Sequence, residues 1–173
     1  MKEMNIDFLC VAPHKGLYAP MGIGILICEK YIENTVIEGG TGTNSLELFQ
    51  PEILPEKFES GTVNVPAILG VGAGLEYIEK LGREKIYEHE IMLIKNLYNK
   101  LSKIDGVKLY TPPPKKNLYA PVLIFNCGNL KSDFVAEYLS QNGIAVRGGY
   151  HCAPIAHKHL GTLENGAVRV SVA

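Results

Sequence analysis

An α/β chain that turns to α+β towards its C-terminus is the architecture the sequence predicts, and three observations carry that expectation. Short apolar runs, IDFLCVA, GIGILICE and APVLIFNCG, have the length and composition of strands. They alternate with longer segments of helical period, the order expected of packed sheet and helix layers. A hydrophobic fraction of 46% supplies enough apolar side chain for a sizeable core and excludes a disordered chain.

Taken in order, IDFLCVA opens as a buried-strand pattern and GIGILICE is a second strand. A glycine-rich polar loop, EGGTGTNSLELFQPEILPEKFESGTVNV, follows. From Pro66 to about Lys103 the period is helical. Pro66 suits a first helical turn, and Ile91, Ile94, Tyr98 and Leu101 fall on one face. GLE and LGRE are the points where this run can bend or break. IDGVKLYTPPPKK reads as a turn, a strand and a proline-stiffened loop, and APVLIFNCG as a strand. KSDFVAEYLSQNG is a helix with Ser132 as N-cap, and IAVRGG is a further strand. Finally Val168, Val170 and Val172 alternate with Arg169 and Ser171 as a half-buried strand does. A strand at each raw terminus leaves edge groups unpaired, so the sequence is expected to be a segment of a longer chain. The composition shifts near residue 83, within helix, giving expected domains 1–82 and 83–173.

Seventeen basic and eighteen acidic side chains give a net charge of −1, without the basic stripe of a nucleic-acid binder. No apolar run approaches the roughly 20 residues that span a bilayer. Lys2, Glu3 and Asp7 interrupt any signal-peptide h-region, and four unevenly spaced cysteines suit a reducing compartment. The expectation is a cytoplasmic protein without nucleic-acid or membrane partners.

Chemistry concentrates in VRGGYHCAPIAHKH, residues 146–159. His151, Cys152, His157 and His159 match no paired zinc spacing, and Cys10, Cys28 and Cys127 sit in apolar runs, so no metal is expected. Cys152 follows two glycines and precedes Ala153-Pro154, the start of a helix. That helix end, His151 and Arg147 all favour a thiolate, and the alternative is an idle loop cysteine. In VAPHKGLYAPMGIGIL, Lys15 ends a buried strand. A lysine snorkelling outward accounts best for that stretch alone, with a Schiff-base amine as the alternative. In ESGTVNVP, Gly61, Thr62 and Asn64 before a helix suit an anion and a plain capping turn equally. GGTGTNS lacks the lysine of a phosphate loop. GVGAG at 70–74 lies within helix, where small residues serve close packing.

In their order and spacing, PHKGLYAPMGIGIL, GGTG, LPEKFESGTVNVPAILGVGAGLEYI and VRGGYHCAPIAHKHLGTLENGAVRVS resemble the cysteine desulfurase family. That family lies in the class V aminotransferase group of fold type I enzymes dependent on pyridoxal 5′-phosphate. The resemblance runs from the first strand to the last residue. It implies the C-terminal half of such an enzyme: the end of its cofactor-binding large domain (1–82) and most of its small domain (83–173). It implies that Lys15 carries the cofactor, that His14 lies near the phosphate, and that Thr62 reaches the phosphate of a neighbouring subunit's cofactor in a homodimer. Cys152 would be the nucleophile that accepts sulfur from L-cysteine, leaving alanine. Arg169, assisted by Arg147, would grip the substrate carboxylate, and His157 and His159 would be helix-face or supporting groups. A sulfur-acceptor protein is the implied partner.

Two departures follow. Where the family commonly has a hydroxyl residue and glycine before the His-Lys pair, this chain has Ala12 and Pro13. The family's phosphate-cradling turn, its ring that stacks on the cofactor and its aspartate to the pyridine nitrogen belong to the N-terminal half. The 173 residues alone are therefore expected to bind the cofactor weakly and to be almost inactive. The rival expectations are a selenocysteine lyase, a class V aminotransferase without need of a nucleophilic thiol, and a non-catalytic folding or dimerisation module.

Overall fold

The computed structural model describes residues 1–42 and 44–172. Thr43, in the glycine-rich loop, and Ala173, which ends the valine alternation, lie outside the described residues. The chain divides into two compact units that part between Lys80 and Leu81.

The first unit begins with a 3-10 turn (Lys2–Met4) and an antiparallel ribbon of β1 (Phe8–Val11) and β2 (Ile25–Cys28), in register Phe8↔Cys28 to Val11↔Ile25. A single helical turn, α1 (Pro13–Gly16), leaves the end of β1. The apolar run of β1 reads as a buried strand, but its burial is the reverse: Phe8, Leu9 and Cys10 are exposed. Period-2 and apolar content report that a strand can be buried, whereas burial itself needs a second layer. Helix α2 (Val65–Leu81) is capped by Asn64, whose Oδ1 accepts the Ala67 N–H at 3.2 Å. Its small residues serve contact. A Cβ on Gly74 would stand 2.0 Å from the Leu17 carbonyl oxygen, and one on Gly70 would stand 2.5 Å from the Pro20 ring. Tyr18 and Tyr77 meet edge to face at 5.4 Å across the same contact. In the long loop, Lys57 is buried, with its ammonium on Glu52 at 2.5 Å and on the Tyr31 hydroxyl at 2.8 Å.

At Gly82, φ is +86°, and the helical run stops before α3 (Arg83–Leu101). The LGRE segment is thus the break, because a positive φ leaves the helical region and glycine adopts it without steric cost. The second unit packs α3 and α4 (Ser132–Gln141) on a three-stranded antiparallel sheet of order β3 (Val107–Leu109), β4 (Val122–Cys127), β5 (Val168–Ser171). Ile94 of α3, Leu123 and Phe125 of β4, Val135 of α4 and Val168 of β5 form its core. The register pairs Phe125 with Val168 and Ile124 with Arg169, so Arg169 points to the sheet face opposite the core.

Two expectations are corrected here. IAVRGG is no strand: only Arg147 pairs, in an isolated antiparallel bridge to Arg169. Gly148 and Gly149 end the pairing; a Cβ on Gly148 would stand 2.7 Å from both the Asp133 carboxylate and the Ser132 carbonyl. Nor is Ser132 the N-cap of α4. Lys131 holds that place, and the buried Ser132 hydroxyl instead accepts the Gly149 N–H at 3.0 Å. Helix α5 (Pro154–Leu160) then follows the glycines and Cys152.

Candidate functional site

Unit two gathers four of the residues singled out from sequence on one loop and one strand. Arg147 and Arg169 exchange both backbone hydrogen bonds, at 3.1 and 2.8 Å. Directly opposed residues of an antiparallel bridge share a sheet face, so the two guanidinium groups leave the backbone on the same side. Like charges so placed repel, and among the described residues neither arginine has a carboxylate in ion-pair range. The Nε of Arg169 is buried and unpartnered. A planar anion that accepts from both guanidiniums would remove both costs.

The loop continues through Gly149, tied to Ser132, to Tyr150, whose hydroxyl donates to the Leu163 carbonyl at 2.7 Å. His151 and Cys152 then take φ of +52° and +60°. Two successive non-glycine residues in the left-handed region cost of order 1–3 kcal/mol each and persist only where their surroundings hold them. Several contacts do so. The Ala153 N–H donates to the Tyr150 carbonyl at 2.8 Å, and His151 Nε2 lies 3.0 Å from the Arg147 carbonyl. His157 Nε2 lies 3.3 Å from His151 Nδ1. Burial is the main cause that holds His151 below the usual imidazole range; the Arg147 carbonyl opposes it, and Arg169, His157 and Arg147 add to it. Cys152 itself is exposed at the loop tip, two residues before α5.

His157 is the functional neighbour that sequence reasoning placed too loosely. It is buried inside α5, with Nδ1 2.8 Å from the Thr162 hydroxyl, whereas His159 is exposed. Gly161, in the left-handed conformation, ends the helix so that Gly161 N–H reaches the Lys158 carbonyl and Thr162 N–H the His157 carbonyl. This Schellman closure delivers the Thr162 side chain to the ring. The HLGT sequence carried the signal for the closure, though not for the histidine's inward turn.

Unit one holds the remaining candidates. His14 and Lys15 lie on the one-turn α1, both exposed. The Lys15 ammonium makes no ion pair or hydrogen bond with the described residues. Thr62 is exposed in a turn where Gly61 has φ +75° and donates to the Gly40 carbonyl at 2.8 Å, just before α2. Two hollows of about 420 and about 530 Å³ open on the ribbon, near Gly22, Asn64 and Ile68 and near Cys28, Leu54 and Phe58. Neither is lined by His14, Lys15 or Thr62.

The family model described as aminotransferase class-V matches residues 1–173. The chain belongs to this family. It is 35% identical to the probable cysteine desulfurase of Methanothermobacter thermautotrophicus, over 99% of this chain and 44% of that protein. Its fold matches the crystal structure of the cysteine desulfurase CsdA of Escherichia coli with a TM-score of 0.85 at 26% identity, over 99% of this chain and 42% of that one. It also matches the apo cysteine desulfurase of Thermococcus onnurineus NA1, with a TM-score of 0.72 at 32% identity, over 99% and 43%. The chain thus spans less than half the length of these relatives.

Class V aminotransferases depend on pyridoxal phosphate, and the residues present fit part of that group's demands. Lys15 offers a primary amine free of competing partners among the described residues, the nucleophile an aldehyde requires. Thr62 and the imidazole of His14 are exposed and able to meet a phosphate. Ala12 and Pro13 contribute no hydroxyl there.

Proposed function

We propose that the chain carries part of a cysteine desulfurase active centre, in which Lys15 and Cys152 serve one L-cysteine substrate. The observation that carries this reading is the Arg147–Arg169 bridge, two guanidiniums without an ion-pair partner among the described residues, on one sheet face next to a loop that presents an exposed thiol. Such a pair suits the carboxylate of an amino acid. A transaminase has no use for the thiol.

Pyridoxal phosphate, held by Lys15 and His14 with a Thr62 reaching its phosphate from the neighbouring subunit, would supply the electron sink that makes the substrate Cα proton labile. The residues of the chain do the rest. Arg169, with Arg147 beside it, binds the substrate carboxylate and fixes its orientation. The Lys15 amine moves the proton at Cα. The Cys152 thiolate attacks the substrate sulfur: an S–S bond forms, the C–S bond breaks with its electron pair left on carbon, and that carbon takes a proton. The sum is enzyme thiol plus L-cysteine giving enzyme persulfide plus L-alanine. Selenocysteine, which breaks the weaker C–Se bond, is the alternative substrate. A homodimer, with Thr62 serving the neighbouring subunit's cofactor, a sulfur-accepting protein partner and a cytoplasmic setting belong to the same reading. So does the division of labour between residues 1–82, as the end of a large domain, and 83–173, as a small one.

The chain spans less than half of its relatives, and we expect the 173 residues alone to bind the cofactor weakly and to release little sulfur. The test separates the two halves of the reading. Borohydride trapping of pyridoxal phosphate, followed by peptide mapping, should place the label on Lys15; label scattered over the surface lysines would count against that role. Incubation with a sulfane-sulfur donor should add one sulfur to the Cys152 peptide. Cys152→Ala should lose that sulfur and keep the Lys15 label, and sulfur spread equally over the cysteines would refute the nucleophile.

A further inference from the structure

The buried His157 has no part in the reaction above, and the hydrogen bonds that run through it carry a direction. The Arg147 carbonyl only accepts, so His151 Nε2, 3.0 Å away, bears a proton. A neutral His151 then presents Nδ1 as an acceptor, and His157 Nε2, at 3.3 Å, must donate to it. His157 Nδ1 is thereby bare and accepts from the Thr162 hydroxyl at 2.8 Å. The same hydroxyl has a second acceptor in reach, the His157 carbonyl at 3.4 Å.

That second acceptor gives the network another complete arrangement. Add one proton to His151 Nδ1, and this atom donates to His157 Nε2. His157 moves its own proton to Nδ1 and donates to the Thr162 oxygen, whose hydroxyl turns to the His157 carbonyl. Every group stays bonded, and His151 stays on the Arg147 carbonyl. A second proton has no place: both rings would then carry protons on facing nitrogens.

We infer that Thr162, His157 and His151 form a dyad that takes up a single proton, with the Thr162 hydroxyl as a two-way pivot. His157 and Thr162 are thereby positioning residues that keep His151 anchored, and the left-handed Cys152 loop formed, in both protonation states. The role assigned to the thiol rests on the desulfurase reading; the dyad does not. The charged and titratable groups that face it are Arg147 on the loop, Arg169 on β5 and each ring of the other, with the Tyr150 ring edge 5.6 Å from His157. Asp133 of α4 faces Gly148 and Gly149. Burial lowers the proton affinity of His151.

The test uses the 173-residue chain and needs neither cofactor nor substrate. Long-range ¹H–¹⁵N spectra should show both rings protonated on Nε2 at high pH, and a titration in which the two rings change together with one proton for the pair. Hydrogen exchange supplies the second readout. The protection factor of the Ala153 amide should hold through this titration in the wild type and in Thr162→Ser. In Thr162→Val it should fall about tenfold or more, while the Arg169 amide, bonded to Arg147, keeps its protection and reports the intact fold. Iodoacetamide labelling of the Cys152 peptide should gain an inflection in the histidine range in Thr162→Val alone. Independent titration of the two rings, Nδ1 protonation of His157 at high pH, or a Thr162→Val variant that behaves as the wild type would each overturn the inference. Should the dyad hold and Cys152 refuse sulfur, the desulfurase reading fails by itself; the reverse result leaves that reading in place.

Discussion

His151 is the residue where a charge and the fold are most plainly coupled. Burial holds its folded value below the ordinary 6.5 of imidazole. The sign follows from which state binds the proton first. As pH falls through 6.5 the unfolded chain is protonated while the folded one resists, so stability is lost on acidification. Above the unfolded value the contribution is complete, and below the lowered folded value it is gone. Urea unfolding of the second unit, followed from pH 8 to 5, should show a midpoint that is level above about pH 7 and declines below it. His151→Gln, which keeps a polar side chain and cannot titrate there, should flatten that decline. A wild-type midpoint that rises on acidification through this range would mean that His151 gains a proton on folding instead of shedding one.

At the scale of elements, helix α2 offers a matched pair of glycines. Gly74 lies against backbone: a Cβ there meets the Leu17 carbonyl at 2.0 Å, and a carbonyl within the α1–β2 connection cannot rotate away as a side chain does. Gly72, two residues earlier in the same helix, faces open space. Gly74→Ala should therefore destabilise the first unit by about 1–3 kcal/mol through overpacking. Gly72→Ala should stabilise the helix by roughly 0.5–1 kcal/mol, because alanine has less backbone entropy to lose. Denaturant melts of both variants settle the matter, and equal effects would show that helix and turn are not in the contact described. The GVGAG reading as close-packing residues was open to sequence because small residues in a helix have few other uses. Elsewhere legibility stopped at what depends on distant partners. The β4 and β5 strands were readable from Leu123, Phe125, Val168 and Val170, whose alternation is local. IAVRGG carried the same apolar signal, yet pairing stops at Arg147 because Gly148 and Gly149 must pass close under Ser132 and Asp133. The site shows the same limit. Arg147 and Cys152 stand out by residue type and Arg169 only through the family resemblance, and the structure adds the cross-strand bridge. The ring of His157 turns inward only because Thr162 returns to it, a contact that five residues of spacing do not announce.

For the molecule as a whole, the distribution of apolar burial is uneven in a way that hydrogen exchange can read. The second unit buries Ile91, Ile94, Leu123, Phe125, Val135, Ala167 and Val168. Among its described residues, the first buries only Pro13, Ala67 and Val71 as aliphatic side chains larger than glycine, and leaves Phe8, Leu26, Ile27, Leu46, Leu48 and Phe49 exposed. Local opening costs least where few apolar contacts are lost, so the two units should exchange on separate scales. Amides of β4, held on both sides by β3 and β5, are expected to be the last to exchange, with those of α3 around Ile94 close behind. Amides of the β1–β2 ribbon should exchange at least a hundredfold faster, a gap of roughly 2.7 kcal/mol at 1.36 kcal/mol per tenfold. An isolated two-stranded ribbon is marginal in water, and this one has apolar side chains on exposed faces and, among the described residues, no third strand beside it. Equal protection across both sheets would mean that the ribbon's apolar faces are covered in solution, and a protection profile that depends on protein concentration would identify the cover as a second copy of the chain.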